Sequence, residues 1–354
     1  MKEIARSYFV KLFSSGIQSS TDRILSGIEA CVSDEDNKNL KASFTEEEIW
    51  TALTEMGPTK APGEDGLPAI FYQKCWPIIG KEVMNYCLQQ LNNEMDVSTI
   101  NKTNIVLIPK VSCPSNISQF RPISLCNVLY KLIAKAISNR LRTAGKKGYM
   151  AVKIDMSKAY DRVMKKMGFE KRWVDMILKC VSTVSYSVTV NGLASESFIP
   201  FRGLRQGDPL SPFLFLFCGE GLSSLMRLAN AGNRIKGVKA SRNGPTITHL
   251  LFADDCIVFA EATDTGAISL KQILREYAMT TGQCVNFDKS TVFFSKNTPE
   301  SEKTAVLQIL TIRISNDIER YLGLPNMVGR KKRSSFQNLK DRLNQKNNKR
   351  ILLI

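Results

Sequence analysis

Apolar and polar positions switch between two periods along this chain of 354 residues, and the switches mark out its elements. Thr45-Glu46-Glu47-Glu48 is a capping box, and Ile49, Leu53 and Met56 follow it on one helical face. Gly57 and Pro58 are expected to end that helix. Lys60-Ala61-Pro62-Gly63-Glu64-Asp65-Gly66 then reads as a loop punctuated by glycine and proline, and residues 71–91 as a second helix. Residues 104–109 read as a strand closed by proline, with Lys110 directly after it. Residues 123–125 are the expected partner strand, and residues 131–142 a helix. Residues 151–155 alternate and end in an acid, which predicts a strand carrying Asp155 at its C-terminal end, with a helix starting over 157–162. Val184, Tyr186, Val188 and Val190 alternate up to Asn191-Gly192, the strongest short hairpin signal in the chain. Gly203-Leu204-Arg205-Gln206-Gly207-Asp208-Pro209 leads into a largely apolar helix over 213–228. In Leu250-Leu251-Phe252-Ala253-Asp254-Asp255-Cys256-Ile257-Val258-Phe259, two apolar runs of strand composition enclose two acids. That pattern predicts a hairpin with the acids at its tip.

Adjacent carboxylates repel and are costly to desolvate, so a core would not normally hold such a pair. Two readings stay open from these residues alone: a polar turn with solvated acids, or a site where a divalent cation supplies the compensating charge. Composition narrows the chemistry. Lys and Arg number 49 against 33 Asp and Glu, a formal net charge of +16 that points to nucleic acid or an anionic membrane surface. His249 is the only histidine, which excludes a multi-histidine zinc site and leaves a Ser-His-Asp triad one candidate base. Its place at the start of an expected strand favours a structural role. The nine cysteines are scattered without a C-x-x-C pair, as expected of buried thiols in a reducing compartment. No apolar run approaches the roughly 20 residues that span a bilayer; the run over 213–218 is far too short, and the first residues lack the apolar core of a signal peptide. From Arg330 the chain turns basic and polar, with Arg330-Lys331-Lys332-Arg333 and later Lys346, Lys349 and Arg350.

If the strands ending in Asp155 and flanking Asp254-Asp255 are antiparallel neighbours, all three carboxylates reach one edge. Carboxylate oxygens suit Mg²⁺, which prefers octahedral oxygen ligands and keeps positions for water and substrate phosphate. Two such ions can clamp the attacking and leaving oxygens of a phosphoryl displacement, and that chemistry needs no histidine. A basic chain with clustered Asp therefore fits metal-assisted phosphoryl transfer better than acyl transfer.

At this point the motifs bring in a family. Lys60-Ala61-Pro62-Gly63-Glu64-Asp65-Gly66, Ile105-Val106-Leu107-Ile108-Pro109-Lys110 and Phe120-Arg121-Pro122-Ile123-Ser124-Leu125 resemble successive fingers blocks of the reverse transcriptase domain of plant-type non-LTR (LINE-type) retrotransposons. Asp155-Met156-Ser157-Lys158-Ala159-Tyr160-Asp161 and Phe252-Ala253-Asp254-Asp255 resemble its two catalytic motifs. Arg202-Gly203-Leu204-Arg205-Gln206-Gly207-Asp208-Pro209-Leu210-Ser211-Pro212 resembles the motif that positions template and nucleotide. Gly282-Gln283-Cys284-Val285-Asn286-Phe287-Asp288-Lys289-Ser290 and Tyr321-Leu322-Gly323-Leu324-Pro325 resemble the two blocks that follow. One such motif is weak; this many in order is specific.

The resemblance implies an α+β fold of polymerase right-hand architecture, with an antiparallel palm sheet flanked by helices. It implies an RNA-directed DNA polymerase in which Asp155 and Asp254 hold two Mg²⁺ ions (Mn²⁺ being possible), with Asp255 a supporting acid. Lys110 and Arg121 would hold the triphosphate, where cationic hydrogen bonds are strong. Tyr160 would gate against a ribose 2′-hydroxyl, Gln206 and Gly207 would lie against the incoming nucleotide, and Lys289 near the leaving phosphates. Without the resemblance, Lys110, Arg121 and Lys289 read as exposed basic residues, Tyr160 as a core position and Gly207-Asp208-Pro209 as a turn before a helix. The implied partners are an RNA template, a DNA primer and dNTPs, with no membrane, and the implied location is nuclear.

The expected division is an N-terminal helical extension over 1–56, shortened fingers over 57–150, palm over 151–295, and the end of the palm with a partial basic thumb over 296–354. Two departures from the family pattern stand out. Only Thr143-Ala144-Gly145-Lys146-Lys147-Gly148-Tyr149-Met150 bridges the helix over 131–142 to Asp155, where the family carries a longer fingers segment. After Asp161-Arg162-Val163 the chain passes directly to residues 164–168, which shortens a palm helix. The alternative function is therefore a degenerate copy that binds nucleic acid without polymerising.

Overall fold

A computed structural model of the chain describes residues 2–14, 22–93, 95–144, 160–201, 203–239, 243–252, 255–281, 285–287, 290–295 and 297–314. It divides into two units, the first comprising Met1–Ala260 with Gln272–Cys284, the second Glu261–Lys271 with Val285–Ile354.

The first unit opens with helices α1 (Lys2–Leu12), α2 (Asp22–Ser26), α3 (Asp34–Lys41), α4 (Glu46–Thr54) and α5 (Ala69–Asn92). The capping box before α4 forms as expected: the Thr45 backbone N–H donates to Glu48 Oε2 at 2.9 Å, and Glu48 N–H returns to Thr45 Oγ1. Ile49 and Leu53 are buried. Met56 falls outside the helix, because α4 stops at Thr54, ahead of Gly57-Pro58. Carbonyls at and just past its end are met from α5, where Gln73 Nε2 donates to Leu53 O at 3.0 Å and Met56 O at 3.1 Å.

Strands β1 (Lys102–Pro109) and β2 (Phe120–Cys126) pair antiparallel, with Val106 opposite Ile123 and Pro109 opposite Phe120. Helices α6 (Val128–Ala144), α7 (Tyr160–Met167) and α8 (Lys171–Ser182) follow, then β3 (Ser185–Val190) and β4 (Leu193–Ala194). The sheet order is β2-β1-β3-β4. Asn191 and Gly192 turn β3 into β4 with φ of 51° and 77°, the doubly positive geometry that Asn-Gly tolerates. β1 and β3 pair parallel, so this sheet, which joins two strands of the expected fingers span to two from beyond it, is mixed; three helices between β1 and β3 supply the crossover that parallel pairing needs. The strand expected over 151–155 lies outside the described residues. One sheet face, with Ile105, Tyr186 and Val188, buries Ala5 and Phe9 of α1.

α6 buries Tyr130, Leu132, Ile133 and Ile137 completely and packs against α4 and α5. Its far end is tied down by Arg140. That guanidinium donates Nε to Glu48 Oε1 at 2.6 Å and Nη2 to Glu48 Oε2 at 2.8 Å, and it bonds the carbonyls of Leu40, Ala42 and Ser43. It also lies 3.5 Å over the Phe44 ring. Burial pushes the Glu48 carboxyl up, but hydrogen bonds and charge from Arg140, with the Thr45 N–H, outweigh it and hold the group below its usual value.

α9 (Ser211–Ala231) is long and apolar enough to cross a membrane by length and composition, which the short apolar run over 213–218 does not convey. It is a core helix, with 61% of that span buried as it packs against α2 and α7. The unit continues through β5 (Val238–Lys239), β6 (Thr246–Ile247), β7 (His249–Phe252) and β8 (Asp255–Val258). The division between units falls inside α10 (Asp264–Thr281). In the second unit, β9 (Thr291–Val292) pairs parallel with β10 (Arg313–Ile314), and α11 (Glu300–Leu310) lies between them in sequence.

Candidate functional site

The segment before α9 makes a tight turn whose ends point inward and whose middle points outward. Arg205 and Asp208 are each 4% exposed, whereas Gln206 is half-buried and Gly207 exposed. Arg205 Nη2 meets Asp208 Oδ2 at 2.7 Å, and the Asp208 N–H closes the turn onto Arg205 O at 3.3 Å. Gly207 has φ of +101°, a backbone state that L side chains rarely adopt, and a Cβ there would meet nothing within 4 Å. Glycine is thus required by the backbone, and open space lies in front of it.

Groups distant in sequence hold the inward ends. Tyr130 of α6 donates its hydroxyl to Asp208 Oδ2 at 2.8 Å and offers its ring face to the Arg205 guanidinium at 3.9 Å. Arg205 Nη1 donates to Asn101 Oδ1 at 2.5 Å and Thr103 Oγ1 at 3.3 Å, and Nη2 to Cys180 O at 3.2 Å. Asp208 Oδ1 accepts the Leu210 N–H at 2.8 Å, leading the chain into α9. Burial is the largest influence on Arg205 and works against its charge, yet Tyr130 and Asp208 outweigh it and raise its pKa. Burial pushes the Tyr130 phenol well above 10, so it remains a donor at neutral pH.

Lys110 and Arg121 meet at the other end of β1. Arg121 stands opposite Ile108, two residues before Lys110. Lys110 joins the ladder's end through its N–H to Gln119 O at 2.8 Å, and its Nζ donates to Ser118 O at 2.8 Å. Both side chains are exposed. Thr103, which touches Arg205, and Lys110 are separated by seven residues of strand, roughly 23 Å. Strand pairing thus brings Arg121 beside the end of β1 that leads to Lys110, while Arg205, next to Gln206 and Gly207 in sequence, bonds Thr103 near the other end.

The two-acid segment is a hairpin as expected, with β7 and β8 antiparallel, Phe252 opposite Asp255 and His249 opposite Val258. Asp255 is the first residue of β8 and Tyr160 the first of α7; the side chains of both lie outside the described residues, as do Asp155, Asp254 and Lys289 altogether. The hairpin's base is fixed by His249, whose Nε2 contacts Ser223 Oγ of α9 at 3.0 Å and whose Nδ1 contacts Thr248 Oγ1 at 2.9 Å. Burial first, and Arg227 second, lower its pKa, so it is a neutral structural group at neutral pH.

Residues 108–326 match the model of the family described as reverse transcriptase (RNA-dependent DNA polymerase). The chain belongs to the reverse transcriptase family. Curated relatives lie among retrotransposon proteins. The chain is 24% identical to the transposon TX1 149 kDa protein of Xenopus laevis over 335 residues, covering 82% of the chain and 25% of that protein. It is 25% identical to the Pol polyprotein of the type-2 retrotransposable element R2DM of Drosophila melanogaster, over 78% of the chain and 30% of the relative. An uncharacterized mitochondrial protein of Arabidopsis thaliana is 54% identical over 66 residues, covering 19% of the chain and 54% of that protein. The chain thus spans about a quarter to a half of the length of the relatives it matches. The 335 positions aligned with TX1 draw on only 82% of 354 residues, so some aligned positions have no counterpart here.

All nine residues singled out from the sequence fall within the matched 108–326. Sequence reasoning singled out Gln206 and Gly207 but not the residues that hold their turn, Arg205, Asp208, Tyr130 and Asn101. An Arg and an Asp three apart around a glycine turn were the one local signal; their partners lie far away in sequence.

Proposed function

We propose that this chain is an RNA-directed DNA polymerase that extends a DNA primer on an RNA template with dNTPs. The observation that carries the reading is the family match over 108–326, which takes in every proposed site residue. The +16 charge supports a nucleic-acid partner. In this reading residues 57–150 act as fingers, 151–295 as palm and 296–354 as the end of the palm with a partial thumb, and the protein works on chromosomal DNA in the nucleus.

Asp155, Asp254 and Asp255 are a hard-oxygen donor set that fits Mg²⁺ (or Mn²⁺), and the start of β8 at Asp255 agrees with acids clustered at a hairpin tip. Bound there, two ions would supply charge stabilisation to the attacking and leaving oxygens. The primer 3′-hydroxyl attacks the α-phosphate of the dNTP, and pyrophosphate leaves. Lys110, Arg121 and Lys289 neutralise the triphosphate, while Gln206 and the Gly207 backbone support the base and sugar. The Tyr160 ring excludes a ribose 2′-hydroxyl.

A second reading, a copy that binds nucleic acid without polymerising, is favoured by the aligned positions absent from this chain. Primer extension on an RNA template by wild type and Asp254→Asn separates the two. Templated extension by wild type alone is expected. Equal background from both proteins, with template still bound, would leave only the binding reading.

A further inference from the structure

The cluster beneath the Gln206-Gly207 turn does more than a turn requires. A turn with a glycine at positive φ closes on local bonds, as Asp208 N–H to Arg205 O already does. Driving an Arg and an Asp into the interior gives up their hydration, and a buried ion pair can often be replaced by apolar residues without loss of stability. Stability is therefore a poor account of this pair.

Direction is the better account. Asp208 Oδ2 and both Arg205 Nη atoms bond to groups carried by different parts of the fold: the approach to β1 at Asn101, β1 itself at Thr103, α6 at Tyr130 and α8 at Cys180. Those bonds fix the two ends of the turn, and between them stand the half-buried Gln206 and the exposed, open face of Gly207.

We propose that Arg205, Asp208 and Tyr130 are positioning residues that aim the Gln206-Gly207 turn at the incoming nucleotide and so set dNTP binding without touching it. The inference rests on the polymerase reading. Tyr130→Phe is the mildest probe, because the ring stays over Arg205, only the hydroxyl's bonds to Asp208 and, at 3.4 Å, to Cys180 O are lost, and Cys180 O keeps its bonds from Asn101 and Arg205. The double variant Arg205→Met with Asp208→Leu removes both charges together.

Full-length proteins are compared by thermal melting, by hydrogen–deuterium exchange of the peptide spanning 203–210, by primed-template Kd, and by KM and kcat for dNTP. Tyr130→Phe is expected to melt near wild type and to exchange faster over 203–210. Its dNTP KM should rise on the order of fivefold, with a smaller change in kcat and the template Kd held. The double variant is expected to fold without recovering the KM. Unchanged exchange with a KM within about twofold in Tyr130→Phe, or a double variant with wild-type KM, would overturn the proposal. A wild-type chain that adds no nucleotide sinks the polymerase reading instead; exchange over 203–210 then decides the clamp, faster supporting it and unchanged overturning it.

Discussion

α6 carries the same chemical device at each end, an arginine stacked on an aromatic ring and paired with a carboxylate, and the two ends serve different purposes. At one end Arg140 covers Phe44, grips Glu48 and bonds three carbonyls from residues 40–43. Its partners lie at the end of α3, on the link that follows and on the first turn of α4. It is a strut. At the other end Arg205 stacks on Tyr130 and pairs with Asp208, both side chains almost wholly buried at 3% and 2% exposure. What hangs from that pair is a turn with a glycine at positive φ and a half-buried glutamine. Chemistry alone does not separate a structural arginine from a positioning one; what the pair is fastened to does.

Removing each arginine in turn separates the two ends most sharply. Arg205→Ala leaves the Asp208 carboxylate buried and is expected to cost about 4 kcal/mol, and Arg140→Ala, whose Glu48 keeps some water, about 2 kcal/mol, both read from urea unfolding. Only the first should raise the dNTP KM of the protein that remains folded; a comparable KM rise in both would erase the distinction. Gly207→Ala comes next, at about 1–2 kcal/mol, from backbone strain at φ +101° rather than from any clash. A fully neutral Gly207→Ala would show that the turn does not hold that conformation in solution. Acid gives the smallest effect. The unfolded chain binds a proton at Glu48 more readily than the folded chain does, because the folded pKa lies below the usual 4.5. The strut's contribution is complete above about 4.5 and drains as the pH falls through the lower folded value. Unfolding followed from pH 5 to pH 3 should show that loss blunted in Arg140→Ala, and an identical loss in both proteins would remove Glu48 as its source.

Local patterns were legible wherever neighbours in sequence are neighbours in space. Thr45 with Glu48 announced α4, Asn191-Gly192 announced the β3–β4 turn, and the apolar runs around Asp254-Asp255 announced the β7–β8 hairpin, because each rests on contacts a few residues apart. His249 was readable as structural from its uniqueness and place, though its Ser223 partner was not. Met56 misled because helical periodicity ran past the point where the chain leaves α4. The parallel pairing of β1 with β3 and the core of the Arg205 cluster were out of reach for one reason. Their partners lie 25 to 104 residues apart, and no local period records such a meeting.

The most direct test of the account is single-nucleotide addition by the full chain to a DNA primer on an RNA template, with and without chelation of divalent cations. It predicts addition of the templated dNTP that stops on chelation, returns with Mg²⁺, and is lost in Asp155→Asn. A chain that binds the primed template but adds no nucleotide above the Asp155→Asn background at any Mg²⁺ concentration would contradict it.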